Sequence, residues 1–151
     1  MENQYWLDKN YYPINLTLIA TNHFVAKVQL NDYTAFFIVD TGASRSCLDK
    51  VSFAQLNMTI NEDAEETEAA GLGSSSMVAS IITINQLKLN DFVIKNYDMP
   101  ILDLSHVKQA VKQFSDNEIN IDGVLGADIL IEYAAVINYK TKLLYLLKPT
   151  E

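Results

Sequence analysis

The stretch FFIVDTGAS, residues 36–44, decides how this chain can fold. It opens with four bulky apolar residues, a run that is typical of a strand buried on both faces. It ends at Asp40 and Gly42, where the chain is predicted to turn. An unpaired carboxylate at the end of a buried strand is costly, so Asp40 needs a partner or a chemical role. The tripeptide alone leaves four alternatives open: a turn cap, a partner for a lysine, a metal ligand and a catalytic group.

Composition narrows the classes of protein that the chain could be. A length of 151 residues, 49% of them apolar, favours a single domain over residues 1–151 with a sizeable core. The formal net charge is −8, and the sole arginine is Arg45. Because phosphate contacts need clustered Lys and Arg, we expect neither a nucleic-acid partner nor an anionic membrane surface.

Cysteine and histidine are scarce. Cys47 is the single cysteine, and His23 and His106 stand apart in the sequence, so the residues predict no disulfide, no metal site and no cofactor. Cys47 lies in an apolar patch and is predicted to be a core thiol. Residues 1–13 lack a basic head and an unbroken apolar stretch, and no segment reaches the ~20 apolar residues of a membrane span. These features predict a cytoplasmic protein.

Apolar alternation dominates the chain and predicts strands. Asn31-Asp32 fits a two-residue hairpin turn, because both residues tolerate left-handed backbone. The predicted strands are 14–18, 23–30, 33–39, 77–84, 87–94, 134–139 and 143–147, the last two forming a closing hairpin.

Helical spacing appears in few places. Leu104, Val107 and Phe114 share one face of a predicted helix over 104–114, which Asp103 or Ser105 could cap. A short helix or turn is predicted over 48–56. The chain is therefore expected to be mostly β with one or two short helices.

Besides residues 36–44, two further segments of the sequence indicate which fold the chain adopts. The sequence GVLGADIL, residues 123–130, contains two glycines and leads into a predicted short helix. The sequence GLGSSS, residues 71–76, suits a hairpin tip, and the acidic run at 61–68 suits a solvated loop. In this order and spacing, the three motifs resemble the retropepsin-like aspartic proteases, in particular the single-domain, bacterial-type members. The resemblance covers residues 14–147.

The resemblance implies a closed β-barrel of the acid-protease type, with Asp40 as the catalytic residue. It also implies that Thr41 braces the loop of a second copy and that the Gly42 N–H steadies the carboxylates. The residues implied in support of the active-site loop are Thr41, Gly42, Ala43 and Ser44. Those implied in a flap that contacts substrate are Gly71, Leu72 and Gly73.

Aspartic proteolysis needs two carboxylates that share one proton. This chain carries one such signature, since Asp103 and Asp122 lack the Asp-Thr-Gly form. The second carboxylate is therefore expected to be Asp40 of another copy, placed by a two-fold axis. These features predict an aspartic endopeptidase that acts on peptides or proteins as a homodimer.

Two other functions compete with this prediction. A catalytically inactive member of the family could use its substrate groove to bind peptides or a protein. A structural subunit of an assembly is the third alternative. The intact Asp40 motif favours the enzyme, whereas a constitutive monomer would favour the binder. Retroviral dimers are tied by interleaved terminal strands, and no such pattern is visible at residues 1–13 or 148–151. We therefore expect a different mode of dimerisation, to which the aromatic side chains of residues 1–13 could contribute.

Overall fold

The computed structural model describes residues 2–56, 67–69, 77–114 and 119–150. Its strands in chain order are β1 Tyr11–Leu18, β2 Phe24–Leu30, β3 Tyr33–Val39, β4 Cys47–Asp49, β5 Thr67–Ala69, β6 Met77–Leu89, β7 Phe92–Leu102, β8 Gly123–Leu125, β9 Val136–Asn138 and β10 Leu143–Leu147. Its helices are α1 Glu2–Asp8, α2 Lys50–Gln55, α3 Ser105–Phe114 and α4 Ala127–Glu132. No helix among these residues is long and apolar enough to cross a membrane.

Six of the strands close into a barrel. β3 pairs with β2 on one side and runs parallel to β8 on the other. From β8 the sheet continues through β4, β7 and β6, and β6 returns to β2 where Leu30 faces Leu87. Closure leaves these six strands without a free edge. The predicted mostly β fold, a closed barrel of the retropepsin-like type with few short helices, is confirmed.

The predicted hairpin at Asn31-Asp32 is present, with Leu30 facing Tyr33 across the turn. Asn31 adopts a left-handed φ of 55°, which asparagine tolerates better than most residues.

The next hairpin differs from the prediction. β6 continues without a break to Leu89, and the chain turns at Asn90-Asp91, not between residues 84 and 87. The buried positions alternate up to Ile84 and resume at Leu87, one residue out of phase. In the sequence, this shift of the apolar alternation predicts that one strand ends and another begins. The strand continues through it, while Asn96 on β7 takes a left-handed φ of 55°.

The first and last strands pair with each other inside the chain. β1 runs antiparallel to β10, from Tyr11 opposite Leu147 to Asn15 opposite Leu143, and its far end pairs with β2. β10 in turn pairs with β9. Helix α1, which the sequence did not predict, lies against β1, and Trp6 stacks on the buried ring of Tyr145 with centroids 5.5 Å apart. Trp6 therefore packs within the same molecule, whereas Tyr5 is 55% exposed.

Helix α3 covers the outer side of the strands that lead to Asp40. Its Val107 packs beside Ala43, and Val111 packs against Ile38. The helix is also tied down by a buried carboxylate, because Asp49, 1% exposed, accepts hydrogen bonds from Leu104 N at 3.0 Å and from Lys108 Nζ at 3.1 Å. The predicted helix thus forms over Ser105–Phe114, with Val107 and Val111 on the side that packs on the strands. The side chain of Phe114, which the sequence placed on the same face, lies outside the described residues.

We predict that Lys108→Ala destabilises the fold by ~3 kcal/mol, because it leaves the Asp49 carboxylate buried without its cation. Lys112→Ala, one turn later on the exposed side of α3, is the matched control and should cost less than about 0.5 kcal/mol. Urea unfolding followed by circular dichroism measures both. Equal unfolding midpoints for the two variants would contradict the role given to this ion pair.

Candidate active site

Asp40 lies where β3 leaves the barrel. Its N–H donates to the carbonyl of Leu125 at 3.0 Å, so the parallel pairing of β3 with β8 extends up to the aspartate itself. The side chain is half-buried, and its Oδ1 accepts a hydrogen bond from the N–H of Gly42 at 2.9 Å. A Cβ on residue 42 would lie 3.2 Å from that oxygen, so a glycine lets the backbone approach the carboxylate closely. The Gly42 N–H therefore orients the Asp40 carboxylate, and the residue remains partly exposed to solvent.

The other predicted residues of the loop take different positions. Thr41 and Ser44 are exposed, whereas Ala43 is buried against Cys47 and Val124. The Ala43 N–H donates to the carbonyl of Asp40 at 3.2 Å, which closes the turn. The predicted flap residues Gly71, Leu72 and Gly73 lie outside the described residues.

The glycine motif at residues 123–130 packs against the backbone of the Asp40 loop. Gly126 donates its N–H to Ser46 Oγ at 2.8 Å, and Ala127 donates to the Ala43 carbonyl at 2.7 Å. A Cβ on Gly126 would come within 2.8 Å of the Ala43 carbonyl oxygen and of the Arg45 carbonyl carbon. Because both are backbone atoms, a side chain at position 126 would push the Asp40 loop out of place.

A polar cluster joins the same loop to α4 and β7. Asp128, in the first turn of α4, accepts hydrogen bonds from Ser46 N and Ser46 Oγ, each at 2.8 Å, and from the hydroxyl of Tyr97. Burial and, after it, the hydrogen bond to Asp128 raise the pKa of Tyr97, so the phenol remains a proton donor. Nothing in the local sequence pointed to Ser46 or Tyr97 as partners of Asp128.

The remaining candidates for a second carboxylate are engaged elsewhere. Asp122 is buried and accepts hydrogen bonds from Phe36 N and Asn120 Nδ2, each at 2.9 Å. Asp103 is exposed and caps α3 by accepting from Ser105 N at 2.9 Å. Each of these carboxylates thus has a structural partner, and Asp40 is left as the candidate for chemistry.

Cys47 is not an alternative nucleophile. It is buried, and burial raises the pKa of its thiol to about 12, which keeps it protonated at neutral pH. Among the described residues, no group of three or more His, Cys, Asp or Glu side chains could hold a metal ion.

An apolar groove of about 530 Å³ opens beside the Asp40 loop. We call it the α4–β9 face, because helix α4, strand β9 and the turn between them form most of it. Its lining residues are Thr41, Ala127, Leu130, Ile131, Ala134, Ala135 and Ile137. Thr41 therefore connects the candidate catalytic residue directly to an apolar surface.

Comparison with known proteins identifies the family. A family model described as aspartyl protease matches residues 26–129, more than half of the chain. The chain belongs to the aspartyl protease family. The match includes both the Asp40 loop of this aspartyl protease and the glycine segment that supports it. No curated protein matches the sequence.

Solved structures place this aspartyl protease among the retropepsin-like folds. The structure of a retropepsin-like aspartic protease from Rickettsia conorii superposes with a TM-score of 0.58 at 21% identity, covering 90% of this chain and 91% of the other. The retroviral protease-like domain of Ddi1 from Leishmania major gives 0.52 at 16% identity, covering 81% and 86%. EIAV protease, complexed with the inhibitor HBY-793, gives 0.53 at 21% identity, covering 76% and 90%.

We predict that Tyr97→Phe destabilises the protein by roughly 1.5–3 kcal/mol, because it removes a part-buried hydrogen bond to a charged group. Tyr11→Phe is the matched control, since the hydroxyl of Tyr11 donates to a neutral carbonyl at the surface, and it should cost less than about 1 kcal/mol. Chemical denaturation of the two variants measures the difference. A Tyr97→Phe protein as stable as the control would show that the Asp128 cluster does not brace the loop.

We predict that the Cys47 thiol does not react with a thiol reagent such as DTNB at pH 8 in the folded protein and reacts fully in urea, because burial removes both access and ionisation. The control is a Val51→Cys variant in a Cys47→Ser background, which places the thiol at a position that is 52% exposed. Its thiol should react in the native state. Rapid native labelling of Cys47 would contradict the buried, protonated state.

Proposed function

We propose that this aspartyl protease is an endopeptidase that hydrolyses peptide bonds with two Asp40 carboxylates, one from each of two copies of the chain. The observation that carries the proposal is the geometry of Asp40: a half-buried carboxylate at the end of a barrel strand, held by the Gly42 N–H and beside an apolar surface. The natural substrates of such a site are peptides and protein segments.

The chemistry follows from placing two like charges together. Two carboxylates a few Å apart cannot both ionise cheaply, so the pair holds one proton between them. The ionised member accepts a proton from a water molecule, which attacks the peptide carbonyl carbon. The protonated member donates its proton to the carbonyl oxygen as that oxygen gains negative charge, which gives a tetrahedral intermediate. The carbon–nitrogen bond of the intermediate then breaks. The leaving amine takes the proton that the first carboxylate accepted, and a hydroxyl proton of the intermediate returns to the second carboxylate. No covalent bond forms between enzyme and substrate, and the two pKa values belong to the pair.

The surrounding residues take supporting roles in the proposal. The Gly42 N–H fixes the orientation of each Asp40 carboxylate. Thr41, exposed on the α4–β9 face, is positioned to hydrogen-bond the loop of the second copy. Ala43 and Ser44 complete the turn, Ala43 through its buried contacts and its N–H bond to the Asp40 carbonyl. For Gly71, Leu72 and Gly73 we propose contacts to the backbone of bound substrate, which rest on the sequence motif alone.

A catalytically silent, peptide-binding relative is the alternative that the sequence left open. A binder of this kind has no use for a pair of carboxylates whose mutual repulsion opposes assembly. The intact loop, with a glycine amide aimed at the carboxylate, therefore favours the enzyme.

We predict that Asp40→Asn lowers the rate of peptide cleavage by about 10²–10⁴-fold, because an amide pair cannot share and transfer a proton. A mixed peptide library, incubated from acid to neutral pH and read by mass spectrometry, measures cleavage. The matched control is Asp32→Asn, an exposed carboxylate in the β2–β3 turn, which should cleave like the natural sequence.

The same assay tests the requirement for two copies. The rate per mole of chain should fall on dilution, since the dyad is lost when the copies separate. Cleavage that survives Asp40→Asn would overturn the catalytic role of Asp40. A rate per mole that stays constant while the protein is shown to become monomeric would overturn the shared dyad.

A further inference from the structure

We propose that the first turn of helix α3 positions the Asp40 loop, with Val107 as a positioning residue that acts through Ala43. The inference rests on the proposed function, because it gives Val107 a part in the reaction at Asp40. It goes beyond that function by assigning the orientation of the carboxylate to an element that contributes no group to the catalytic loop.

Ala43 is the residue through which the surrounding structure holds this loop. It is 1% exposed, and its carbonyl accepts a hydrogen bond from Ala127 N at 2.7 Å. Its own N–H donates to the Asp40 carbonyl at 3.2 Å. The donor that orients the Asp40 carboxylate, the N–H of Gly42, belongs to the residue directly before it. A displacement of Ala43 therefore moves the Gly42 N–H relative to the Asp40 carboxylate.

The side chain of Ala43 lies in a small apolar cluster, which we call the Ala43 cluster. Its buried members are Ala43, Cys47, Leu102, Leu104 and Val124, and the half-buried Val107 packs against them. Leu104 directly precedes α3 and Val107 lies in its first turn, so the start of this helix forms part of the surroundings of Ala43. In so small a cluster, truncating one side chain leaves a gap that its neighbours fill only by moving.

The Asp49 carboxylate fixes the start of α3 against this cluster. Asp49 is 1% exposed and accepts hydrogen bonds from Leu104 N at 3.0 Å and from Lys108 Nζ at 3.1 Å. These two donors stand on either side of Val107 in the sequence. Because Asp49 is the last residue of β4, a strand of the barrel, the helix turn that carries Val107 is held at a defined position relative to the barrel.

Val111, one turn further along α3, provides an internal comparison. It is 5% exposed and belongs to a second cluster, together with Val25, Ile38 and Ile121. Val107 packs against both clusters, whereas among the described residues Val111 belongs to the second alone. Ile38 is paired with β2 on one side and with β8 on the other, and a strand held on both sides resists displacement more than a loop does. Truncation of Val111 is therefore expected to weaken the packing of the barrel without moving the Asp40 loop.

The thiol of Cys47 reports on the Ala43 cluster. Cys47 belongs to that cluster and is the single cysteine of the chain, so its reaction with DTNB measures how often the cluster opens. We expect Val107→Ala to raise the labelling rate on the order of tenfold over that of the natural sequence. Val111→Ala is the matched control, since it makes the same truncation on the same helix at a more deeply buried side chain. It should lower the urea unfolding midpoint at least as much as Val107→Ala, while the labelling rate changes less than about twofold.

Hydrogen exchange follows the loop itself. The hydrogen bond of the Ala43 amide closes the turn after Asp40, so its exchange rate measures opening of that turn. We expect this amide to exchange on the order of tenfold faster in Val107→Ala than in Val111→Ala. Equal exchange rates of the Ala43 amide in the two variants would overturn the role given to Val107.

Cleavage kinetics distinguish positioning from stability. We expect Val107→Ala to lower kcat on the order of tenfold, because a small misplacement of a catalytic group is costly, with KM changing less than about twofold. Val107→Ile keeps a β-branched side chain at this position and should keep kcat near that of the natural sequence. Val111→Ala should also retain kcat at a temperature at which all the variants are folded.

The outcomes separate this inference from the proposed function. Labelling and exchange require no cleavage, so faster opening in Val107→Ala than in Val111→Ala supports the inference even if no peptide is cleaved, a result that would overturn the proposed function alone. Labelling rates that follow the urea midpoints of the two variants would show that Cys47 is reached by global unfolding, and would overturn local control by α3. Asp40-dependent cleavage combined with an unchanged kcat in Val107→Ala would overturn the inference and leave the proposed function standing.

Discussion

Gly126 lies against the backbone of the loop that carries Asp40, so close that a Cβ would meet the Ala43 carbonyl oxygen at 2.8 Å. The backbone hydrogen bonds from Asp40 N to Leu125 O and from Ala127 N to Ala43 O reinforce the contact. Two segments that are far apart in sequence therefore pack as one unit, and the parallel pairing of β3 with β8 positions the Asp40 loop.

Two carboxylates, the part-buried Asp128 and the buried Asp49, stabilise this unit through hydrogen bonds. Asp128 ties the loop to α4 and β7 through Ser46 and Tyr97. Asp49 ties the start of α2 and the first turn of α3 to the end of β4. A buried carboxylate is costly unless its acceptor sites are occupied, and here each has several donors. At Asp40, in contrast, the hydrogen bond that orients the carboxylate comes from its own turn, through the Gly42 N–H.

The chain carries one copy of the Asp40 signature. Its barrel is closed and its first and last strands are paired, yet its candidate catalytic residue has half of the carboxylates that the chemistry requires. In the proposed mechanism, folding and activation are separate events: the monomer supplies a preorganised half-site, and association supplies the proton-sharing pair.

Local sequence determined much of this protein. The Asn31 turn, the helix that begins at Ser105 and the strand that ends at Asp40 follow from periodicity and turn chemistry, which act between neighbouring residues. The paired motifs around Asp40 and Gly126 indicated the family. Other features were decided only by the tertiary structure: the continuation of β6 to Leu89, the packing of α1 on Tyr145, and the Tyr97–Asp128–Ser46 cluster. Ser46 and Asp128 are 82 positions apart, and barrel closure, which no local pattern records, brings them together.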